Sequence, residues 1–586
     1  MGKISNSSLY KKIDSFFEIG NLWGWIFILL PPVIVACLIN IYGVNVCQGD
    51  QWAIVPFFEK FFTGTLHIRD LLLFHNEHCI FFPRLFMLLS AKVFHYNTMF
   101  ELFLSWFFLV LSSIIVFKVI KQEIGERFKI SHFVLISFLI FNLRQWENML
   151  YGWQFQIPMS VFFVVLGFYL VEKQNNILFI ISILAAIISS LSFANGIGIW
   201  FIAILALIIN QKKEKPKIYI WIFSGFIIII FYLLGYSKPV SHPSLFSFIK
   251  NPINFLLYFF VSVGSPLTTE KYSALIIGVL LFLMYMYFIV KFFKNKKDSS
   301  FFPLALIFFS LLSSFIISVS RSGFGFRQAI ASRYVTITVF GVVGLYILII
   351  KSVVLRKKNI VYGVIMLCLI SFEIITSYVN FFKWTDVYNK NIKFAYLLKT
   401  YKYQNEKVFI PDIEQISYLK NIDISIYQKI LSGFKHTPQM INSLAPVLER
   451  YKLNVFYTVI DFTNMNYLGE EDNFIINGIV KTGDGYQIKI NPDETDSVFI
   501  SGFFLKQAHA KDVVMVLDEK NEIPVFYYPV VDNLKKKLCN HQNYYEFYVR
   551  FNSILLKKGF HNIYFKTITD DNRGYYRSKN INIKVV

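Results

Sequence analysis

The sequence predicts a mainly α-helical protein, a polytopic membrane helical bundle with a C-terminal extracytoplasmic β-sandwich-like domain. Three observations support this fold class. The 586 residues are 55% hydrophobic and only 16% charged, a balance far from that of soluble proteins. Apolar runs of about 20 residues, the length that crosses the hydrocarbon core of a bilayer, recur through residues 1–380. The last part of the chain instead alternates polar and apolar residues with the period of a β-strand.

About eleven transmembrane helices are expected from the apolar runs. They lie near residues 22–44, 98–117, 130–143, 156–171, 177–193, 197–210, 218–236, 273–290, 302–319, 333–350 and 360–380. The stretch 253–266 is also apolar, but Gly264 and Pro266 interrupt it. We therefore expect it to enter or lie on the membrane without crossing.

The basic residues predict how the helices are oriented. They cluster in alternate loops, at residues 118–129, 212–217, 291–297 and 351–358. The positive-inside rule places these loops and the N-terminus in the cytoplasm. The loops left outside are 45–97, 144–156, 237–272 and 321–334. This bias accounts for much of the net charge of +21, so nucleic acid is not an expected partner.

Three segments follow from this division of the chain. Residues 1–380 form the membrane unit, which includes a large first outer loop over 45–97. Residues 381–460 are a mixed, partly helical connection. Residues 461–586 hold short alternating runs separated by turn sequences rich in Gly, Asn and Asp, a pattern typical of a β-sandwich.

The first outer loop holds acids and histidines that could carry chemistry. Asp50 directly follows the first span, and Trp52 is two residues further on. Glu77 and His78 lie in a second polar run, between two amphipathic stretches expected to form helices on the membrane surface. The alternative is that these groups only solvate and fix the loop. The histidines have no third ligand at a recognisable spacing, so no metal is expected.

Two further outer loops carry candidate binding residues. Residues 144–156 hold Glu147, Trp153 and Gln154, and aromatic rings and amides suit a sugar, although tryptophan is common at membrane interfaces in any case. Residues 321–334 hold three arginines and no acid. Because guanidinium groups bind phosphate oxygens in a bidentate fork, this loop predicts a lipid-phosphate partner. Anchoring to lipid head groups is the alternative.

On these residues the chain resembles the GT-C superfamily of integral-membrane glycosyltransferases, and among them the bacterial serotype-converting O-antigen glucosyltransferases. The matching features are Gly49-Asp50-Gln51-Trp52, His75-Asn76-Glu77-His78 with Pro83-Arg84, Glu147 with Gly152-Trp153-Gln154, and the β-rich tail. Many such enzymes have two adjacent acids in the first loop, whereas one acid stands alone here.

The resemblance implies a multi-pass enzyme of the bacterial inner membrane with a periplasmic C-terminal domain. Its donor would be a sugar on polyprenyl phosphate, and its acceptor a cell-surface polysaccharide such as O-antigen. It would transfer a hexose, with glucose as the first choice, by an inverting single displacement at the outer face. Membrane lipid is then a partner, and no cofactor is implied.

Chemistry assigns roles to the candidates. Attack by a sugar hydroxyl needs a carboxylate that accepts the proton, which we assign to Asp50 with Glu77 as second choice. The departing phosphate needs fixed cations. These are assigned to Arg333 and Arg327, with Arg84 and His78 in reserve. The sugar-binding candidates are Trp52, Glu147, Trp153 and Gln154.

Three other classes of membrane protein remain open. An O-antigen polymerase or ligase also acts on lipid-linked glycans but usually has its large loop between late spans. A transporter or flippase needs ionisable groups or broken helices at mid-membrane depth, where Glu373 is the only acid expected. A non-catalytic glycan-binding protein would suit the β-rich tail.

Overall fold

The computed structural model describes residues 21–210, 215–236, 247–295, 300–355, 359–399 and 438–456, together with the β-strands between residues 466 and 585. The chain forms two compact units. The first comprises residues 1–44 and 60–388, and the second comprises residues 45–59 and 389–586. The first unit thus extends beyond the predicted boundary at residue 380, and the first outer loop is divided between the two units.

Seven helices in the described part of the chain are long and apolar enough to cross a membrane, and each matches an expected span. Their α-helical parts are Asn21–Tyr42, Thr98–Ile124, Gln156–Val171, Lys215–Gly235, Lys271–Asn295, Phe302–Arg321 and Ser332–Leu355. The predicted helical membrane bundle is therefore confirmed.

The other four expected spans take a different form. Three of them are helices of 10, 15 and 13 residues, shorter than the roughly 20 residues that a span requires. The fourth is a helix of 41 residues that continues well past residue 380. These helices are Ser131–Ile140, Asn176–Ser190, Gly198–Asn210 and Asn359–Lys399. The number of eleven spans stays a prediction.

The interrupted stretch forms the helix Pro252–Gly264, which has 13 residues and is too short to cross. It packs against helix Lys271–Asn295 with unusually close backbones. A Cβ atom at Gly264 would lie 2.0 Å from a backbone oxygen of that helix, and one at Gly278 would lie 1.8 Å from an oxygen of the shorter helix. Only glycine allows this approach. The contact fixes the position of Tyr258, in the middle of the short helix.

Helices Phe302–Arg321 and Ser332–Leu355 also pack closely. A Cβ atom at Gly344 would lie 2.4 Å from the carbonyl oxygen of Pro303, so the two backbones nearly touch. Inside a membrane such close van der Waals packing, rather than the hydrophobic effect, holds helices together. The connection between these helices is short, so the end of the first lies beside the start of the second.

Side-chain contacts group the loops of the first unit into two sets, as the charge pattern predicts. One set meets at what we refer to as the glutamate end, defined by Glu123, Glu172, Ser300 and Lys351. The other meets at the arginine end, defined by Arg321 and Arg333. Two of these residues, Glu123 and Lys351, lie in stretches whose basic residues predicted a cytoplasmic position. Which end faces the cytoplasm stays a prediction.

The first outer loop contains short helices and a small hairpin. Two helices, Val55–Phe62 and Phe81–Phe94, fall on the two stretches predicted to be amphipathic. Between them, strands β1 (Phe74–His75) and β2 (His78–Cys79) pair in antiparallel fashion. The remaining short helices of the first unit are Ile68–Leu71, Trp146–Leu150 and Ser247–Lys250.

The second unit contains helix Pro438–Arg450 and a series of β-strands. The strands are β3 (Asn466–Glu470), β4 (Phe474–Ile476), β5 (Val480–Thr482), β6 (Gly485–Gln487), β7 (Lys489–Ile490), β8 (Ser497–Leu505), β9 (Ala510–Leu517), β10 (Asn521–Pro524), β11 (Phe526–Pro529), β12 (Tyr544–Asn552), β13 (Gly559–Thr569), β14 (Gly574–Arg577) and β15 (Ile581–Val585). One sheet has the order β10-β9-β13-β14-β3, with β15 paired to β13 and β7, and another has the order β11-β12-β8-β4. A sandwich of these sheets stays a prediction.

Candidate functional site

Two arginines belong to the arginine end, one from each of two consecutive helices. Arg321 is the last residue of its helix, and Arg333 is the second residue of the next one. Their guanidinium groups are within electrostatic range of each other and of Tyr334. Two like charges held at close range are unfavourable unless other charges compensate them. Two carboxylates from separate loops supply this compensation.

Glu77 pairs with Arg321. The carboxylate Oε1 of Glu77 lies 2.5 Å from Nη2 of Arg321, and both side chains are largely buried, at 19% and 16% exposure. Glu77 is presented at the tip of the β1–β2 hairpin. The turn places Asn76 at a φ of 52°, in the left-handed region that asparagine tolerates better than most residues. The sequence predicted Glu77 as a second acid for catalysis, and the structure shows its carboxylate engaged with a cation.

His78 lies against the same carboxylate. Its Nε2 is 3.7 Å from Oε1 of Glu77, and its ring stacks on Phe193 with centroids 4.2 Å apart. Its Nδ1 accepts a hydrogen bond from the backbone N–H of Ala194 at 3.3 Å. A neutral imidazole that accepts at Nδ1 carries its hydrogen on Nε2. His78 therefore presents its Nε2–H side toward the Glu77 carboxylate, at a distance longer than a hydrogen bond.

Glu147 pairs with Arg333 through both carboxylate oxygens. Oε2 accepts the backbone N–H of Arg333 at 2.8 Å, and Oε1 accepts from Nη1 of its guanidinium at 3.3 Å. The first N–H groups of a helix lack partners within the helix, so a carboxylate placed there satisfies one of them and suits the positive end of the helix dipole. Asn148 Nδ2 in addition donates to the carbonyl of Arg333 at 2.9 Å. The sequence predicted that Glu147 binds sugar. In the structure its carboxylate instead pairs with Arg333.

The loop that carries Glu147 is anchored at further points. The buried Arg144 donates to the backbone carbonyls of Ile330 and Thr268. Burial lowers the pKa of Arg144 to about 10, and Glu147 partly opposes this shift, so the guanidinium stays charged at neutral pH. Gln145 accepts a hydrogen bond from Thr336 at 2.5 Å. The positions of Glu147 and Arg333 are thus fixed from several sides.

Two tyrosines complete what we refer to as the arginine cluster, which comprises Arg321, Arg333, Glu77, Glu147, Tyr258 and Tyr334. The guanidinium of Arg333 lies over the ring of Tyr334, 5.1 Å from its centroid. Tyr258 is fully buried, packs with Tyr334 in one apolar cluster, and is within electrostatic range of both arginines. Its hydroxyl has no hydrogen-bond partner among the residues that the structure describes. Buried hydroxyls rarely stay unpaired.

The other two predicted phosphate ligands lie in different surroundings. Arg327 is exposed, on the 3₁₀ turn Phe326–Ile330. Arg84 is buried, and its guanidinium donates to the backbone carbonyls of Leu71 and Leu73. Burial lowers the pKa of Arg84 to about 10. Arg84 therefore braces the fold of the outer loop.

The predicted sugar-binding residues differ in accessibility. Trp153 is buried and meets the ring of His75 edge to face, with centroids 4.8 Å apart. Gln154, its neighbour, is half-buried. Trp52 is fully buried, so neither face of its ring is open for stacking on a sugar in this conformation. Of the three, Gln154 is the most accessible.

Asp50 is exposed and belongs to the second unit. It is the second residue of a 3₁₀ turn over Gly49–Ile54, and the φ of Gly49 is 58°, a value that favours glycine. The surrounding segment is tied to the C-terminal part of the same unit. The N–H of Cys47 donates to Asn454 Oδ1 at 2.8 Å, and Arg450 pairs with Glu59 at 2.8 Å. That Asp50 faces the arginines stays a prediction.

Among the described residues, no group of three His, Cys, Asp or Glu side chains is placed to hold a metal ion. Sequence reasoning counted Arg321 among the three arginines of the 321–334 loop without assigning it to the phosphate, and it did not select Tyr258. Arg321 could have been recognised because it ends a span at the membrane boundary. Tyr258 could not have been selected in this way, because a single tyrosine within a run of apolar residues is common in helices that pack inside a bundle.

Comparisons with family models, with curated proteins and with solved structures find no match to the chain. The interpretation of the arginine cluster therefore depends on its own chemistry.

Proposed function

We propose that the protein is a membrane glycosyltransferase that moves a hexose, with glucose as first choice, from polyprenyl phosphate onto a cell-surface polysaccharide. In this proposal the enzyme lies in the bacterial inner membrane with eleven spans and a periplasmic β-sandwich-like domain. The arginine cluster binds the phosphate of the donor. The observation that carries the proposal is a pair of guanidiniums within electrostatic range of each other at the ends of two apolar helices, each held by a carboxylate.

The location of the cluster suits a lipid phosphate. The phosphate of a polyprenyl donor lies at the membrane boundary while its chain lies in the hydrocarbon. Arg321 and Arg333 are at the ends of helices long and apolar enough to span that hydrocarbon. Guanidinium groups at such depth match the phosphate in both position and chemistry.

The ion pairs leave both arginines able to bind. A guanidinium has five N–H donors, and each side chain here gives one of them to its glutamate in the contacts described above. The glutamates set the direction of the remaining donors and reduce the repulsion between the two cations. A phosphodiester donor carries one negative charge, and its phosphate gains a second as the sugar leaves. Fixed donors aimed at that developing charge favour the transition state.

The transfer step is a single displacement. An acceptor hydroxyl attacks the anomeric carbon of the sugar, the bond from that carbon to the phosphate oxygen breaks, and the configuration inverts. The hydroxyl proton passes to a carboxylate, which we assign to Asp50, and polyprenyl phosphate departs against Arg321 and Arg333. Glu77 is engaged with Arg321 and so is a positioning residue in this scheme, as is Glu147. Gln154 remains a candidate for contact with sugar hydroxyls.

The test is transfer by the purified protein in lipid nanodiscs. It is given polyprenyl-phosphate sugars that differ in the sugar, together with isolated polysaccharide, and the product is identified by mass and linkage. We expect one donor to support transfer. Removing a catalytic base typically costs about 100-fold or more, so Asp50→Asn should lose at least this much activity.

Glu59→Gln is the matched control for Asp50→Asn. Both acids lie in the segment 45–59, and Glu59 is already paired with Arg450. The control should keep full transfer. An intact protein that transfers no sugar from any lipid carrier would contradict the proposal.

A transporter of lipid-linked glycans is the second candidate, and one observation favours it. Glu373 is a buried carboxylate within the bundle, and ionisable groups at such positions often mark transport pathways. A transporter would move a labelled lipid-linked sugar across the membrane of proteoliposomes without an acceptor. It would form no new glycosidic bond.

A further inference from the structure

Glu373 is a buried acid that the proposed reaction does not use. Its side chain is 1% exposed, within helix Asn359–Lys399. One carboxylate oxygen accepts a hydrogen bond from Asn142 Nδ2. The other oxygen is buried and has no hydrogen-bond partner among the described residues. A buried carboxylate is costly, and burying it usually serves specificity or function rather than stability.

The contact with Glu373 decides which way the amide of Asn142 points. An amide has a donor side and an acceptor side, and a carboxylate can only accept. Because Nδ2 faces Glu373, Oδ1 faces the opposite way and accepts the backbone N–H of Arg144 at 2.7 Å. That second bond caps the 3₁₀ turn Leu143–Gln145. Without the carboxylate, the bond from the Arg144 N–H would be the one contact of this pair left to hold the amide in this orientation, and the cap would be weaker.

The capped turn leads directly to the residues that hold Arg333. Glu147 binds the backbone N–H and the guanidinium of Arg333, and Asn148 binds its carbonyl. The path from Glu373 to the arginine cluster therefore consists of hydrogen bonds and one short stretch of chain, residues 142–148. A shift of this stretch would move Glu147 and redirect the guanidinium of Arg333.

We propose that Glu373 is a positioning residue for the phosphate site: it orients Asn142, and through the 142–148 stretch it sets the direction of Arg333. The role requires a hydrogen-bond acceptor, and it requires neither a negative charge nor a transported proton. This inference rests on the proposed function, because it concerns the same phosphate site. It assigns to the buried acid a task that differs from transport.

The test compares substitutions at Glu373 by the KM for the lipid donor and by kcat. Glu373→Gln keeps an oxygen that can accept from Asn142 and should retain a donor KM close to that of the unaltered protein. Glu373→Leu removes the acceptor and should raise the donor KM about fivefold, as expected for the loss of one hydrogen bond, with a smaller change in kcat. Asn142→Ala should match it. Because both changes break the same path, the double variant should be no worse than either single one.

Asn380→Ala is the matched control. Asn380 lies two turns further along the same helix, is buried, and donates to the carbonyl of Thr376 at 2.7 Å. The control loses a buried hydrogen bond that stays within this helix. It should leave the donor KM unchanged. If Asn380→Ala raises the donor KM as much as Glu373→Leu, the effect is general loosening and the inference is overturned.

Two further outcomes overturn the inference. If Glu373→Gln is as impaired as Glu373→Leu, the carboxylate charge or its proton is needed. If Glu373→Leu leaves the donor KM unchanged while Arg333→Gln raises it, the phosphate site stands and the role of Glu373 does not. A normal donor KM in Arg333→Gln would instead contradict the proposed function itself.

Discussion

Buried charged groups have different kinds of partner at the two ends of the membrane unit. At the glutamate end, Lys351 pairs with Glu123, while the neighbouring Glu172 accepts a hydrogen bond from the hydroxyl of Ser300 at 2.6 Å. One of these two carboxylates thus has a paired cation, and the other has a hydroxyl group as its hydrogen-bond partner. At the arginine end, two cations stand within range of each other, and each has its own carboxylate.

In the proposed function, this difference decides which end receives the ligand. A carboxyl group at the glutamate end can take up a proton and become neutral, so that end needs no further partner. Arginine side chains do not lose their charge at neutral pH, and each keeps N–H donors beyond the one given to its glutamate. We therefore expect the arginine end to bind an anion. For the glutamate end we expect a structural role.

The strongest test of this contrast separates the two members of one ion pair. Arg321→Gln and Glu77→Gln break the same contact, so each should lower the free energy of unfolding by a similar amount, about 1–2 kcal/mol for a largely buried pair. Their effects on transfer should differ. Arg321→Gln removes a phosphate donor and should reduce kcat about 100-fold. Glu77→Gln keeps the cation and should cost about tenfold less. Equal losses of transfer in both variants would mean that the pair is only structural.

The opposite end should give the reverse result. Lys351→Met leaves Glu123, which is 8% exposed, without its cation. We expect the free energy of unfolding to fall by about 2 kcal/mol, because breaking a buried pair leaves an uncompensated charge. Donor KM and kcat should stay unchanged when measured well below the melting temperature. A large loss of transfer in a folded Lys351→Met protein would end the distinction between the two ends.

Much of this arrangement could be predicted from the sequence. Long apolar runs located the seven helices that are long enough to span a membrane, and the alternation of basic loops predicted which loops share an end. The lengths of the shorter helices could not be predicted, because apolar composition does not distinguish a helix that crosses lipid from one buried inside the bundle. The break between Asn176–Ser190 and Gly198–Asn210 was visible in Ala194-Asn195-Gly196, which forms a 3₁₀ turn.

The pairs within the site could not be predicted, although most of their members were selected. Glu77, Glu147 and Arg333 were each chosen from separate loops for their chemistry. Glu77 and Arg321 are 244 positions apart in the chain, and Glu147 and Arg333 are 186 apart. Local patterns contain no information about such contacts. The roles therefore shifted, because a carboxylate that looks available in the sequence turns out to hold a cation.

The glutamate end should also show the clearest pH dependence. Burial raises the pKa of Glu172 from its ordinary 4.5 to about 7; the bond from Ser300 opposes this change and Glu123 adds to it. Because the pKa is raised on folding, the stabilising contribution of Glu172 is complete below pH 4.5 and is lost as the pH rises through about 7. Between about pH 5 and 8 the free energy of unfolding should therefore fall by roughly 2 kcal/mol. In Glu172→Gln the melting temperature should not show this fall between about pH 5 and 8.

Glu126→Gln, at an exposed acid, is the control and should show the same fall as the unaltered protein. A Glu172→Gln protein whose melting temperature falls with pH as much as that of the unaltered protein would contradict the prediction.

The smallest expected effect concerns Arg327, the third arginine of the 321–334 loop. Substituting it tests whether donor binding depends on the paired arginines or only on positive charge in this loop. Arg327 is exposed on its 3₁₀ turn, whereas the side chains of Arg321 and Arg333 are 16% and 28% exposed. Arg327→Ala should raise the donor KM only about threefold, the size typical of an exposed charge interaction. The difference from the unaltered protein should vanish near 1 M salt, where the Debye length falls to about 3 Å. Arg333→Gln should remain impaired at the same salt concentration, because its donors act at contact distance. If Arg327→Ala raises the donor KM as much as Arg333→Gln does, and 1 M salt does not reduce the effect, then the exposed arginine contacts the phosphate directly. The two paired arginines would then not differ from an unpaired one in binding the donor.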